Sequence, residues 1–187
     1  RPSGPADKNA AHLLYRHRVR RQALVEGQPK GMTMDLSDLI SSEGIIPALR
    51  ANSKKQVLQE LSKRAAEMTG LAQRDIFDTL LQRERLGSTA TGNGIAIPHG
   101  MVAGLERVTV LFARLDKPVE FEAIDEKPVD LVFLLLAPER AGADHLNALS
   151  RISRLLSRAN VAQKLRASND RDTLYALLTE PIASHAA

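Results

Sequence analysis

One histidine, His99, stands between a proline and a glycine in "GNGIAIPHG" (Gly92 to Gly100). An imidazole with the ordinary pKa of about 6.5 is mostly uncharged at neutral pH, and an uncharged ring nitrogen is a nucleophile. The residues leading into it suit an anion. Gly87, Gly92 and Gly94 reach positive φ without penalty, so "GSTATGNG" (Gly87 to Gly94) can fold closely round a ligand. Successive N–H groups in such a loop form an anion-binding concavity, and Ser88, Thr89 and Thr91 add hydroxyl donors. Arg83 and Arg85 precede the loop and supply positive charge. The chemistry these types suggest is attack by a neutral imidazole on a phosphoryl group held by the loop.

Other chemistries fit the same stretch poorly. Gly87 and Gly92 have the spacing of a nucleotide P-loop, but Asn93 stands where that motif needs lysine. Ile97 occupies the place of the third glycine in a dinucleotide fingerprint, and no nucleophile elbow surrounds Ser88. A hydrolase built on Ser88 and His99 would also lack a placed acid. With one histidine and no carboxylate in the loop, no metal site is expected, and no other cofactor either. The chain has no cysteine, which removes disulfides, thiolate metal sites and thiol nucleophiles and fits a reducing cytoplasm.

The net charge of +4 is unevenly placed. Residues 1–31 carry seven Lys/Arg against Asp7 and Glu26, whereas residues 32–187 carry 19 basic and 20 acidic side chains. The body is near neutral, so no nucleic-acid partner is expected for it. "YRHRVRR" (Tyr15 to Arg21) is fitted only for non-specific phosphate contact. Residues 1–31 read as a basic N-terminal extension, appended or mis-started, because Met32 and Met34 both offer plausible starts. Residues 32–187 are long enough for one well-buried domain.

The elements that must position the loop follow from periodicity. "IIPALRA" (Ile45 to Ala51) is a short strand that Pro47 confines to an edge or a strand start. Ser53 and Gln56 form a capping box for a helix with Val57, Leu58, Leu61, Ala65 and Met68 at helical spacing, ending at Gly70. A second helix spans about 73–85, with Ile76, Phe77, Leu80 and Leu81 inward. "GIAIPH" is a strand that must stop near Pro98, leaving His99 at its end. "RVTVLFARL" (Arg107 to Leu115) and "KPVDLVFLLLAP" (Lys127 to Pro138) are the strongest strands. The second is apolar on both faces, as a central strand covered by helices would be, and is too short to cross a membrane, so no membrane insertion is expected. Helices follow over about 144–158 (Leu146, Leu149, Ile152, Leu155, Leu156), after an Asn160 cap, and from Asp170. Helices before and after a group of strands give a three-layer α/β/α sandwich with a mixed central sheet.

"RERLGSTATGNGIAIPHG" (Arg83 to Gly100) resembles the active-site segment of the IIA components, fructose/mannitol type, of the bacterial phosphoenolpyruvate-dependent sugar phosphotransferase system. It is most similar to the nitrogen-regulatory branch, and the resemblance extends over about 34–179. It implies a type-2 EIIA domain over 32–187. It also implies a phosphohistidine at His99, an arginine beside the phosphate at Arg83, and a second histidine opening a helix, matched by His145 in "ADHLNALS". Some members of the branch carry a further histidine where this chain has Asn147, and the competing reading of His145 is a helix-terminal cap or surface residue. The Ser88 and Thr89 hydroxyls and the loop N–H groups around Gly92 and Gly94 would hold the phosphate. The implied donor is an HPr-like phosphocarrier (NPr), with no nucleotide or metal required. The implied targets are proteins of the kind of potassium-transport regulators and sensor kinases. A IIA component of a sugar permease and a binding-only regulator with an unused site are the rival readings. Ile95, Ile97, Met101 and Val102 are candidates for a contact ring around His99.

Overall fold

The computed structural model describes residues 36–158 and 160–180; the extension read over 1–31 lies outside them. Six strands form one mixed sheet: β1 (Ile40–Leu49), β2 (Ala90–Gly92), β3 (Ile95–Ala96), β4 (His99–Val102), β5 (Thr109–Val119) and β6 (Val129–Pro138). The order is β1-β5-β6-β3-β2, with β4 also on β6. The β5–β6 and β2–β3 pairs are antiparallel and the others parallel. The helices are α1 (Lys54–Thr69), α2 (Gln73–Arg85), α3 (Gly142–Leu156), α4 (Val161–Ala167) and α5 (Arg171–Thr179).

The sandwich follows from alternation along the central strands. Val132, Leu134 and Leu136 of β6 pack with Val57, Leu61, Ile76 and Leu80 of α1 and α2. Leu131, Phe133 and Leu135 pack on the other face with Ile152 and Leu155 of α3, Leu165 of α4 and Leu174 of α5. Both faces of β6 are therefore dry from Leu131 on, which is why its sequence is apolar without a break from Leu131 to Pro138. Pro47 sits where its missing donor costs least, because β1 ends the sheet order.

The helix starts match their caps, with two differences. Ser53 Oγ accepts from the Gln56 N–H at 3.2 Å, but Gln56 Oε1 returns the bond to Asn52 N–H, one residue before the cap. Asp170 caps α5 through the Thr173 N–H at 2.8 Å. Asn160 does not cap α4 with its side chain; it takes a left-handed φ of 68° instead, the shape asparagine tolerates. Leu146 is 67% exposed rather than part of the inward stripe of α3, which is carried by Ala148, Ile152 and Leu155.

The strand expected to end near Pro98 does stop there, β3 ending at Ala96, but a new strand, β4, starts at His99. Ile95 and Ala96 face Leu131 and Val132, and His99 to Val102 face Leu135 to Pro138, in one unbroken register along β6. Proline gives up only its donor: the Pro98 carbonyl still accepts from Leu135 N–H at 2.9 Å, so the ladder survives. His99 thus opens an edge strand, β4.

Candidate active site

The register of β4 settles which way its side chains face. His99 lies opposite Leu135, on the α3 side of the sheet, and Gly100 lies opposite Leu136, on the α2 side. Gly100 lets α2 come close: a Cβ built there would meet Thr79 Cγ2 at 2.6 Å. Thr79 and Arg83 are one helical turn apart on α2, so the contact at Gly100 brings Arg83 level with His99. Arg83 Nε–H donates to His99 Nε2 at 3.1 Å, and Arg83 Nη1 donates to the Gly87 carbonyl at 3.0 Å.

That contact fixes the tautomer. A guanidinium has no acceptor, so the Nε2 it bonds must carry the lone pair. The ring proton is on Nδ1, 2.8 Å from the Ile97 carbonyl it donates to. Burial holds the His99 pKa below its ordinary value, and the Arg83 charge pushes the same way. The Ile97 carbonyl and the Glu84 carboxylate act in the opposite direction. The result is a neutral ring whose unprotonated nitrogen is Nε2.

His145 arrives from the first turn of α3, its ring centre 5.3 Å from that of His99. It is buried rather than a surface residue, and its Nε2 has no hydrogen-bond partner among the described residues. Burial, and then the proximity of His99, lowers its pKa as well. The structure thus brings together Arg83, His99 and His145.

The other expected site residues have different partners. The Ser88 hydroxyl donates to the Phe121 carbonyl. Thr89 donates its N–H and its hydroxyl to Glu84. Thr91 Oγ1 donates to the Ile95 carbonyl at 3.4 Å. Gly92 and Gly94 take φ of 90° and 75° in the β2–β3 hairpin, where the neighbours of a Cβ would be Asp125 at Gly92, and Arg166 and Asp130 at Gly94. Arg166 Nη2 donates to the Asn93 carbonyl at 2.5 Å and Asp125 accepts from Asn93 N–H at 2.8 Å, so this turn is tied down from two sides. Of the expected contact ring, Ile95, Ile97 and Val102 are core residues and Met101 is exposed. The exposed apolar side chains next to the site are Leu86, Met101 and Leu146, each adjacent or nearly so in sequence to Arg83, His99 or His145.

Sequence reasoning missed two contributors. Gly100 appeared only as the residue after the histidine, although the "PHG" spacing carries the signal for close helix approach. Glu84 went unremarked inside "RERLGST", yet among the described residues it is the one buried side chain of the Asp, Glu, Lys and Arg types. Among the described residues no group of three His, Asp or Glu side chains is placed to hold a metal ion, and no helix is long and apolar enough to cross a membrane.

The chain belongs to the EIIA type 2 family of the phosphoenolpyruvate-dependent sugar phosphotransferase system, whose model matches residues 38–180. It is 58% identical over 153 residues to a nitrogen regulatory protein of Bradyrhizobium diazoefficiens, covering 82% of this chain and all of that protein. Its fold superposes on the crystal structure of nitrogen regulatory protein IIA-Ntr from Neisseria meningitidis with a TM-score of 0.72 at 36% identity, covering 76% of this chain and 97% of the other. The IIA mannitol structure from Escherichia coli shares the fold at 20% identity and a TM-score of 0.65, covering 74% and 98%.

Proposed function

We propose that this chain is a stoichiometric phosphocarrier that accepts a phosphoryl group on His99 Nε2 from the phosphohistidine of an HPr-like protein (NPr). Its phosphorylation state would then regulate target proteins in the cytoplasm. The observation that carries the reading is the His99 geometry: Nδ1–H tied to a main-chain carbonyl and the Nε2 lone pair facing a guanidinium.

The step balances without a nucleotide or metal. The Nε2 lone pair forms the new N–P bond while the P–N bond of the donor breaks, and the donor imidazole leaves with that electron pair. If the donor ring starts protonated it departs neutral, and the His99 ring takes the positive charge, with its Nδ1–H still donating to the Ile97 carbonyl. Arg83 moves from the lone pair to the phosphoryl oxygens, which it neutralises. His145 Nε2 gains an oxygen to donate to. Ser88 and Thr89, whose hydroxyls serve the loop, act through its shape rather than as phosphate donors.

A protein donor needs a surface to dock on. Leu86, Met101 and Leu146, exposed by 83%, 41% and 67%, give the surroundings of the site an apolar character suited to a protein partner. The regulatory reading is supported by the full-length match to a protein named nitrogen regulatory. Its targets, of the kind of potassium-transport regulators or sensor kinases, follow from the family resemblance.

Incubation with enzyme I, an HPr-like carrier and labelled phosphoenolpyruvate tests the chemistry. One acid-labile, base-stable phosphoryl group per chain is expected, and none in a folded His99→Ala variant. Uptake by His99→Ala would refute the assignment. Efficient onward transfer to a sugar-specific IIB domain, with identical partners captured by both phosphorylation states, would replace regulation with sugar uptake.

A further inference from the structure

We propose that Glu84 is the positioning residue of the phosphoryl site: its buried carboxylate latches the turn after α2 and so fixes where Arg83 and His99 meet. The proposal rests on the carrier reading above. The Glu84 side chain is 3% exposed, and a carboxylate so placed must be matched by donors to remain ionised. It accepts from Thr89 N–H at 3.1 and 3.2 Å through its two oxygens and from Thr89 Oγ1 at 2.6 Å. Lys54 Nζ, at the start of α1, lies 3.4 Å away and also bridges to Glu122 at 3.3 Å.

These contacts close a small ring. Glu84 holds Thr89, Thr89 ends the turn that contains Gly87, and the Gly87 carbonyl receives Arg83 Nη1 while Arg83 Nε reaches His99. Arg83 therefore has two anchors, and one of them is a carbonyl whose position depends on the latch. Loosening Thr89 frees that carbonyl and lets the guanidinium drift, which matters because misplacement by about 1 Å can cost about 100-fold in rate.

The charge has its own part. The charged and titratable groups facing His99 are Arg83 and Glu84 from α2 and His145 from α3, and Lys54 from α1 faces Glu84. Burial and Arg83 both lower the basicity of the imidazole, and Glu84 offsets part of that. A carboxylate, rather than an amide of equal shape, thus keeps the nucleophile more basic.

The test uses Glu84→Gln and Glu84→Asp in the full chain, with two readouts: the initial rate of phosphoryl uptake and the His99 titration followed by NMR of its ring nitrogens. Glu84→Gln keeps an acceptor for the Thr89 N–H but loses the charge, so the His99 midpoint should fall below that of the wild type and uptake should slow about 10-fold or more. Glu84→Asp keeps the charge but falls a methylene short of Thr89, so uptake should slow with the midpoint nearly unchanged. Wild-type uptake together with a wild-type titration in folded Glu84→Gln overturns the proposal. If that variant does not fold, Thr89→Val decides: it removes the hydroxyl donor and leaves the charge, and wild-type uptake there is equally fatal. A wild-type chain that takes up no phosphate refutes the carrier reading instead, and the titration still reports whether Glu84 acts on His99.

Discussion

Gly100→Ala is a small perturbation with a large expected effect. The backbone at Gly100 is open to any residue, since its φ is not in the left-handed region. On conformational grounds alone alanine would stabilise the chain by about 0.4–1 kcal/mol. The obstacle is steric. The added methyl would sit 2.6 Å from Thr79 Cγ2, and the next neighbours, Thr79 Cβ at 3.8 Å and Leu80 Cδ2 at 3.9 Å, are at ordinary contact. Thr79 cannot turn aside easily because its Oγ1 donates to the Asp75 carbonyl at 2.8 Å. Relief requires α2 to back away by about 1 Å, and such overpacking costs about 1–3 kcal/mol. For a domain of this size the melting temperature should fall by about 2–10 °C. The same shift would stretch the 3.1 Å Arg83–His99 contact beyond hydrogen-bond range and slow phosphoryl uptake by about 100-fold. Adding Thr79→Ser removes Cγ2 and keeps the hydroxyl, so the double variant should recover both properties. The assay pairs thermal melts with initial rates of labelled phosphate uptake. Unchanged uptake in Gly100→Ala, or a double variant no better than the single one, would refute the idea that helix approach at this glycine sets the site.

Arg83→Ala should slow uptake by about 10- to 1,000-fold, the range for losing one preorganised charge contact, and Arg83→Lys should restore only part, since an ammonium lacks the planar fork; equal rates for all three chains would make Arg83 structural. Because both His99 and His145 are held below their ordinary 6.5, the unfolded chain binds more protons than the native one as pH falls below that value, so stability is lost from about pH 6.5 down to the native midpoints and is unaffected above. Thermal melts at pH 7.5 and 5.5 should show a smaller acid loss in His99→Ala than in the wild type, and uptake by the wild type should persist below pH 6.5; an equal loss in both chains would contradict it.

What the sequence made legible was whatever its own periodicity encodes. Helix α2 runs over Gln73–Arg85, as its apolar spacing predicts, and β6 is the doubly covered strand that its apolar run from Leu131 to Pro138 implies. That Arg83 and His99 meet was readable because both lie in one local motif. The loop glycines were harder. Their spacing suits an anion cradle and a hairpin equally, and the partners that distinguish the two, Asp125 and Arg166, lie far along the chain from Gly92 and Gly94. Pro98 interrupts the strand, as its missing donor lets the sequence say, but the resumption at His99 rests on its retained acceptor, which matters only once Leu135 is beside it. Leu146 fitted the helical stripe, but membership of a stripe does not say where the packed layer ends.

The bond between His99 Nδ1 and the Ile97 carbonyl is made to the main chain, two residues away, and every amino acid at position 97 would present the same oxygen. Tautomer selection is therefore insulated from side-chain replacement there. A lineage can redesign the surface round this histidine, exchanging Leu86, Met101 or Leu146 to suit new partners, without disturbing which nitrogen holds the lone pair. The chemistry is inherited through the backbone and the recognition through side chains, so the two can diverge at different rates.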